Sequence, residues 1–311
     1  MMNEKSYLTG TPEYGKHFWN AMRGDKGSIV GIEAGRSGAT GSYALPNTAH
    51  NSYMAALAKE SLFRQIGTTV EAYNSGYRIF AHDCGDMAQW IPENGAFPIE
   101  DGMDDFTRYP VESWKLGILL KLDEDFIHDV SFNIEDYLTK RLAKNFGKAE
   151  DEAFLNGTGS NMPTGILNAT GGAAVGHNTG SISYDDVISL YFSVDPDYRK
   201  NGIWLMNDET ALVLRTLKDN AGNYLWRSDD TILGKRVIMN NAMPSAAIGT
   251  KPIAFGDFNY YWVIGRRPVT VIPLYEKFTL NHQIGYLAFE FLDGKLSRPD
   301  AIKVLQIENN G

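Results

Sequence analysis

Four clusters in this 311-residue chain have residue types that could do chemistry. The first is Asn156-Gly157-Thr158-Gly159, running on to Met162-Pro163-Thr164-Gly165. Glycines at this density cradle a phosphate when they join a strand to the start of a helix, where free N–H groups and the positive end of the dipole meet the anion. The phosphate-loop pattern also needs Gly-Lys-Ser/Thr, and no lysine stands here. The residues ahead of the glycines have helical periodicity, so the glycines close a helix rather than open one. A dinucleotide-binding loop fails on the same order of elements. The stretch reads as a helix stop and a tight turn, with Gly157 where a left-handed C-terminal cap belongs.

The second cluster, Glu150-Asp151-Glu152, suggests paired acid and base. Adjacent helix positions point in different directions, so these carboxylates do not converge on one substrate atom, and a solvated or interfacial face is expected. Asp123-x-Asp125 lacks the third carboxylate and the glycine of a calcium loop. His82-Asp83-Cys84 sits on a strand-like segment, where successive side chains alternate and cannot all face one ion. Histidines 17, 50, 128, 177 and 282 have no metal-ligand spacing. Cys84 reads as a small apolar filler, and no Gly-x-Ser-x-Gly elbow exists. No catalytic, cofactor-binding or metal residue is assigned, no cofactor is expected, and the chain reads as a non-enzyme.

Composition narrows the class further. The hydrophobic share is 43% and the charged share 22%, ordinary for a globular chain long enough to bury a sizeable core. The formal charge of -9 argues against coating nucleic acid by counterion release. A single cysteine excludes an internal disulfide and a cysteine-rich zinc site, which fits a reducing compartment. The N-terminal residues contain no signal-like apolar core, and no stretch has the roughly 18 apolar residues of a membrane span. A soluble protein that stays inside the cell is expected.

The elements follow from periodicity. Residues 1 to 50 are rich in Gly, Ser, Asn and Thr, with one amphipathic piece, EYGKHFWNAMR, and an arm-like stretch, GRSGATGSYALPNTAHN. A short helix is expected at about 51 to 63, where Met54, Leu57, Ala58 and Leu62 recur at helical spacing. In the next segment Asn94-Gly95 is a strong hairpin-turn signal, flanked by Pro92 and Pro98. This ribbon carries Trp90, Ile91, Phe97, Ile99, Met103 and Phe106, more apolar surface than a two-stranded hairpin buries in itself. It must lie on something else, such as another subunit. Strand-like residues 114 to 122 lead to a helix of about 24 residues, capped by Asn133 or Ser131, with Ile134, Leu138, Leu142, Phe146, Ala149 and Ala153 on one face. Ser183-Tyr184-Asp185-Asp186 opens a short helix, and Asn207 caps another. Four apolar strand-like runs, KRVIM, PIAFG, NYYWVIG and VTVIPL, then lead to QIGYLAFEFL, an Asp293-Gly294 turn and AIKVLQI, and mostly antiparallel neighbours are expected.

The order of these features resembles a known family. Glu152-Ala153-Phe154-Leu155-Asn156-Gly157 with Pro163 and Gly165-Ile166 is followed by Leu217-Lys218-Asp219, then Gly222 and Tyr224. Leu233-Gly234, Met243-Pro244, Phe255-Gly256-Asp257-Phe258 and Arg298-Pro299-Asp300-Ala301-Ile302 come in the same order. Together they resemble the major capsid proteins of tailed bacteriophages, with the Hong Kong 97-type fold, over about residues 12 to 305.

The resemblance implies an α+β subunit in four parts: an N-terminal arm with a short helix (1–71), an extended β-hairpin loop (72–112), a peripheral domain around the long spine helix (113–181 and 266–296) and an axial domain (182–265 and 297–311). It also implies self-assembly as hexamers and pentamers into an icosahedral virion shell around double-stranded DNA, bound without sequence specificity. A scaffolding protein or prohead protease and a portal protein are the implied partners, with the host cytoplasm as the place of assembly and no membrane contact. Family members often carry a scaffolding segment ahead of the arm; here the arm starts about ten residues in, so scaffolding is expected from a separate protein or from a segment absent from this chain. The alternatives are an encapsulin-type nanocompartment shell and a small-molecule-binding α+β enzyme.

Some relatives cross-link a loop lysine to an asparagine of a neighbour. Between Glu71 and Tyr109 this chain has no lysine, and the guanidinium of Arg78 or Arg108 cannot replace a neutral amine. Asn281, near where the acceptor would fall, has no donor. Particles boiled in denaturing detergent should therefore run as one band near 34.6 kDa. A ladder of pentamer and hexamer bands would refute non-covalent assembly.

Overall fold

The structure is a computed structural model that describes residues 9–29, 32, 43–72, 78–82, 91, 106–129, 131–226 and 230–308. The amphipathic piece near the N-terminus forms α1 (Pro12–Met22), with the Thr11 hydroxyl accepting from the Tyr14 N–H and Pro12 at the first helical position, where no N–H is needed. Helix α2 (Asn47–Glu60) starts earlier than expected, and a break at Ser61 separates it from the single turn α3 (Phe63–Ile66). The end of the arm is not free. Leu45 N–H donates to Val269 O at 3.2 Å and Val271 N–H to Tyr43 O at 2.9 Å, so the arm lies along a strand of the second half.

Strand β1 (Thr68–Glu71) follows, then β2 (Arg78–His82) paired antiparallel with β3 (Phe106–Pro110). Strand β4 (Trp114–Asp123) and the turn α4 (Glu124–Ile127) lead into the spine helix α5 (Ile134–Asn156). Asn133, rather than Ser131, is its cap: Asn133 Oδ1 accepts the Asp136 N–H at 3.2 Å, while the Ser131 hydroxyl donates to Asp129. Glu135 and Asp136 in the first turn favour the dipole. The helix has 23 residues, roughly 35 Å at 1.5 Å each.

The second half adds β5 (Ala174–Thr179), α6 (Tyr184–Ser193), α7 (Pro196–Arg199), β6 (Ile203–Met206), α8 (Asp208–Thr216), β7 (Thr231–Ile232), β8 (Lys235–Met239), β9 (Ile253–Gly256), β10 (Tyr261–Leu274), β11 (Gln283–Leu296) and β12 (Ile302–Ile307). The capping box at α6 is present: Ser183 N–H donates to Asp186 Oδ2 at 2.7 Å and Asp186 N–H to Ser183 Oγ at 3.3 Å. Besides the β2–β3 ribbon, the described residues form two larger sheets, β1-β10-β11-β4 and β5-β12-β9-β6-β8-β7. Antiparallel pairs predominate, while β1–β10, β5–β12 and β6–β8 are parallel.

The structure corrects two expectations about the strands. The two apolar runs from Tyr261 to Leu274 are one strand, bent by register shifts between Gly265 and Arg267 and between Arg267 and Thr270. Asp293-Gly294 is not a turn; β11 runs straight through it. A Cβ at Gly294 would collide with the Tyr261 hydroxyl and the Phe154 ring, so glycine serves close packing there.

Alternation then divides β11 between two faces. Tyr286, Ala288 and Leu292 face inward, the first two joining Leu138, Leu142 and Phe146 of α5 and Tyr53 and Leu57 of α2 in one core. The Tyr53 and Phe146 rings meet edge to face, 6.4 Å apart. A second core under the six-stranded sheet gathers Val187, Leu190, Trp204 and Phe255. Leu142 and Phe146 are each 1% exposed, whereas Lys144 is on the solvent face. Replacing Leu142 or Phe146 with Ala should cost about 2–5 kcal/mol in denaturant melts. Replacing Lys144 with Ala should stay within roughly 0.5 kcal/mol, and equal effects would mean the buried face is misassigned.

Candidate functional site

The glycine-rich stretch after α5 is built to satisfy the helix end. The last turn of a helix leaves carbonyls without donors. Gly157 N–H donates to Ala153 O at 2.8 Å, and the chain then doubles back, so that Ile166 N–H reaches Phe154 O at 2.8 Å and Leu167 N–H reaches Leu155 O at 3.0 Å. Gly157 is extended (φ -61°, ψ 141°), not left-handed as expected, and Gly159 takes the positive φ of 76°. Gly157 is required because a Cβ would strike the Ala153 and Pro163 carbonyls. The carbonyl end of the dipole faces this loop and disfavours an anion.

The acidic cluster is where the structure departs most from expectation. Glu150 is 1% exposed and Asp151 8%, and only Glu152 is on the surface. The cause lies on α2 and α3, whose junction packs against this part of the spine. Asp151 accepts from Ser61 Oγ at 2.9 Å, Leu62 N–H at 2.9 Å and Phe63 N–H at 3.2 Å, capping α3 from another helix. Glu150 takes both arms of the Arg64 guanidinium, Nε at 2.7 Å and Nη2 at 2.6 Å. Sequence reasoning missed the third carboxylate, Glu290 on β11. Its register, two residues from inward-facing Ala288 and Leu292, was the signal available.

Glu290 is 5% exposed, and its Oε2 accepts the Tyr53 hydroxyl at 3.1 Å. Among the described residues, no donor reaches its Oε1. Arg64 hydrogen-bonds Glu150 and acts on Glu290 through its charge alone. Burial first, and then the Glu150 charge, push the Glu290 carboxyl up to about 8, against the pull of Arg64. At neutral pH Glu290 is mainly the acid, and its O–H is the donor that can face Glu150. Burial also raises Asp151, opposed by the hydrogen bonds from Leu62, Phe63 and Ser61. A cleft beside this cluster is lined by His50, Met54, Glu71 and Arg267, and burial lowers the His50 pKa.

The sign of the linkage is fixed by the raised folded value. Glu290 contributes stability fully below its unfolded pKa near 4.5, and this is lost as pH rises through about 8. Glu290→Gln keeps a neutral donor and removes the slope. Its melts should match wild type near pH 5 and be roughly 1–3 kcal/mol more stable at pH 9. Equal stability at both pH values would show that Glu290 is ionised throughout. Arg64→Ala, which strands the Glu150 charge, should cost about 3–5 kcal/mol.

Of the expected inter-subunit residues, Trp90, Phe97, Ile99 and Met103 lie outside the described residues, as do Asn94-Gly95 and Asp83-Cys84. Ile91 is partly buried, and Phe106 begins β3. The root of this segment is anchored: the Tyr109 hydroxyl donates to Ser297 O, and Val111 packs with Ala72 and Ile264. Among the described residues no group of three or more His, Cys, Asp or Glu could hold a metal, and no helix is long and apolar enough to cross a membrane.

Comparison with known proteins adds to this geometry. The model of the phage capsid family matches residues 41–307. The probable major capsid protein gp17 of Mycobacterium phage D29 is 28% identical over 180 residues, 56% of this chain and 55% of that protein. Its counterpart in Mycobacterium phage L5 is 26% identical over 185 residues, so the chain spans about half the length of these curated relatives. The capsid of a native GTA particle, at 25% identity, superposes with a TM-score of 0.65 over 88% of this chain and 94% of its own. Mycobacterium phage Cain, at 14% identity and a TM-score of 0.57, shares the fold. With its fold and its sequence matched from Gly41 onward, this chain belongs to the phage capsid family and has the Hong Kong 97-like fold.

Proposed function

We propose that this chain is a major capsid protein that assembles as hexamers and pentamers into an icosahedral shell around phage double-stranded DNA, and that it is a structural protein rather than an enzyme. The observation that carries this reading is the likeness to the GTA capsid along nearly its whole length, together with the family match over residues 41–307. The four-part division into arm (1–71), hairpin loop (72–112), peripheral and axial domains belongs to this reading. So do the virion shell as destination and the host cytoplasm as place of assembly. Its partners are further copies of itself, a scaffolding protein or prohead protease, a portal protein and the packaged DNA.

Physical chemistry supports the same reading. A net charge of -9 suits a container that must not grip its polymer. The segment with Trp90, Ile91, Phe97 and Ile99 has more apolar surface than a ribbon buries alone, which suits a contact between copies. Light scattering and negative-stain microscopy of the purified protein should show capsomers or shells. Deleting residues 88–100 should reduce assembly and leave the melting transition of the subunit in place. A well-behaved monomer at high concentration in assembly conditions would defeat the shell reading.

A further inference from the structure

The spine helix carries a charge pattern that its own stability does not call for. From Tyr137 to Ala149 it has four cations, Lys140, Arg141, Lys144 and Lys148, and no acid. No other thirteen-residue stretch of this acidic chain holds four Lys or Arg. Buried Leu138, Leu142, Phe146 and Glu150 set the inner face of α5, and all four cations fall on its exposed side. The helix dipole favours cations in the last turn, yet that turn has none and the cations sit mid-helix. Lys144 stands three or four positions from Lys140, Arg141 and Lys148, so like charges repel along this face.

The subunit does not neutralise these charges itself. Lys140 pairs with Asp136 at 2.9 Å. Among the described residues, Arg141, Lys144 and Lys148 have no carboxylate partner. Arg141 lies over the Tyr137 ring, 6.0 Å from its centre. Lys59 and Glu60, exposed at the end of α2 where it meets Gly147, offset each other. An ordinary solvated helix face mixes the two signs along its turns. This one is basic over about two turns, in a chain whose formal charge is -9.

A polyanion relieves that repulsion, and the spacing suits one in particular. Arg141 to Lys148 rises roughly 10 Å at 1.5 Å per residue, a length over which one strand of a DNA duplex sets about three phosphates. Nothing on this face is placed to read a base. The Asn145 amide is tied to Arg141 O at 2.7 Å, and Lys and Arg hold phosphates whatever the sequence. We infer that this face of the spine helix turns toward the inside of the shell and meets the phosphate backbone of the packaged duplex through Arg141, Lys144 and Lys148 of each subunit. This inference rests on the shell reading and names the surface of its DNA contact. Three such cations give a salt slope of about −2.7, roughly a fortyfold weakening between 50 and 200 mM salt. Each contact is weak by itself, and the rest of the subunit is acidic, so the polymer is positioned against the wall without being gripped.

Fluorescence anisotropy of a labelled random-sequence duplex, titrated with unassembled subunits or capsomers across a salt series, tests it. The wild type should show the slope above, alike for any sequence. Arg141→Gln, Lys144→Gln and Lys148→Gln together should weaken binding about tenfold or more and flatten the slope. Gln keeps the helix propensity, so the melt of this variant should match wild type. A variant with the same charge change elsewhere on the exposed surface (Lys16→Gln, Lys200→Gln, Lys277→Gln) should bind like wild type. Equal loss in both variants would trace binding to net charge, and no loss in the first would place the DNA elsewhere; either result overturns the inference. Should the triple variant fail to fold, Lys144→Gln alone should reduce the slope by about one, and an unchanged slope overturns the inference equally. Negative-stain microscopy of the same samples keeps the shell reading apart. Wild-type protein that forms shells yet binds no duplex as subunits defeats the inference and leaves the shell standing. A triple variant that binds DNA but no longer assembles would assign this face to a protein partner and overturn it too.

Discussion

A buried ion pair between Arg64 and Glu150, beside the carboxyl of Glu290, ties α3 to the spine helix where the halves of this subunit meet. Apolar packing is non-directional, and a helix of 23 residues lying on a sheet could shift by a turn at modest cost. Arg64 removes that freedom, because its fork fits Glu150 in one geometry only. Glu290 brings the sheet into the same cluster, Tyr53 brings α2, and Asp151 caps α3 one residue along the spine. Desolvation offsets much of the attraction in such a group, so its contribution is to register more than to stability. Burial and the neighbouring Glu150 charge both favour a proton on Glu290.

What could be read from the chain, and what could not, divides by the distance over which the cause acts. The spine helix was legible because its period, its Asn133 cap and its acidic first turn lie within the helix itself. The α6 box at Ser183 and Asp186 was legible for the same reason. The burial of Glu150 and Asp151 was not, because their partners Arg64 and Ser61 stand 86 and 90 residues away. Beside lysines and further acids, these two look like ordinary surface residues. Asp293-Gly294 misled in a related way: the dipeptide is typical of turns, yet its glycine answers to a ring and a hydroxyl from other elements.

The candidate site shows the same division. That the glycines after Asn156 bind no phosphate followed from the order of elements alone, whereas the way they close the helix needed the return of Ile166 and Leu167 to be seen. The apolar excess of the hairpin segment was plain in its composition. The register of β4 with β11 was not legible, because it joins residues 114–123 to 283–296 and no local pattern contains it.

The parallel pairing of β1 with the start of β10 bears on synthesis as well as on shape. Thr68 stands opposite Trp262, and the core of the first half is closed by hydroxyls from the second, as when Tyr286 reaches Met22 O at 2.7 Å. On the ribosome, the arm, the spine helix and β4 emerge long before β10 and β11 exist to cover them. Contacts across such separations form late, after the entropy of closing a long loop has been met. A nascent chain therefore has no finished four-stranded sheet, and no completed outer face on it, until residues 261–296 have left the exit tunnel. Polysomes thus carry many unfinished copies side by side, none of which yet has the closed four-stranded sheet of the finished subunit.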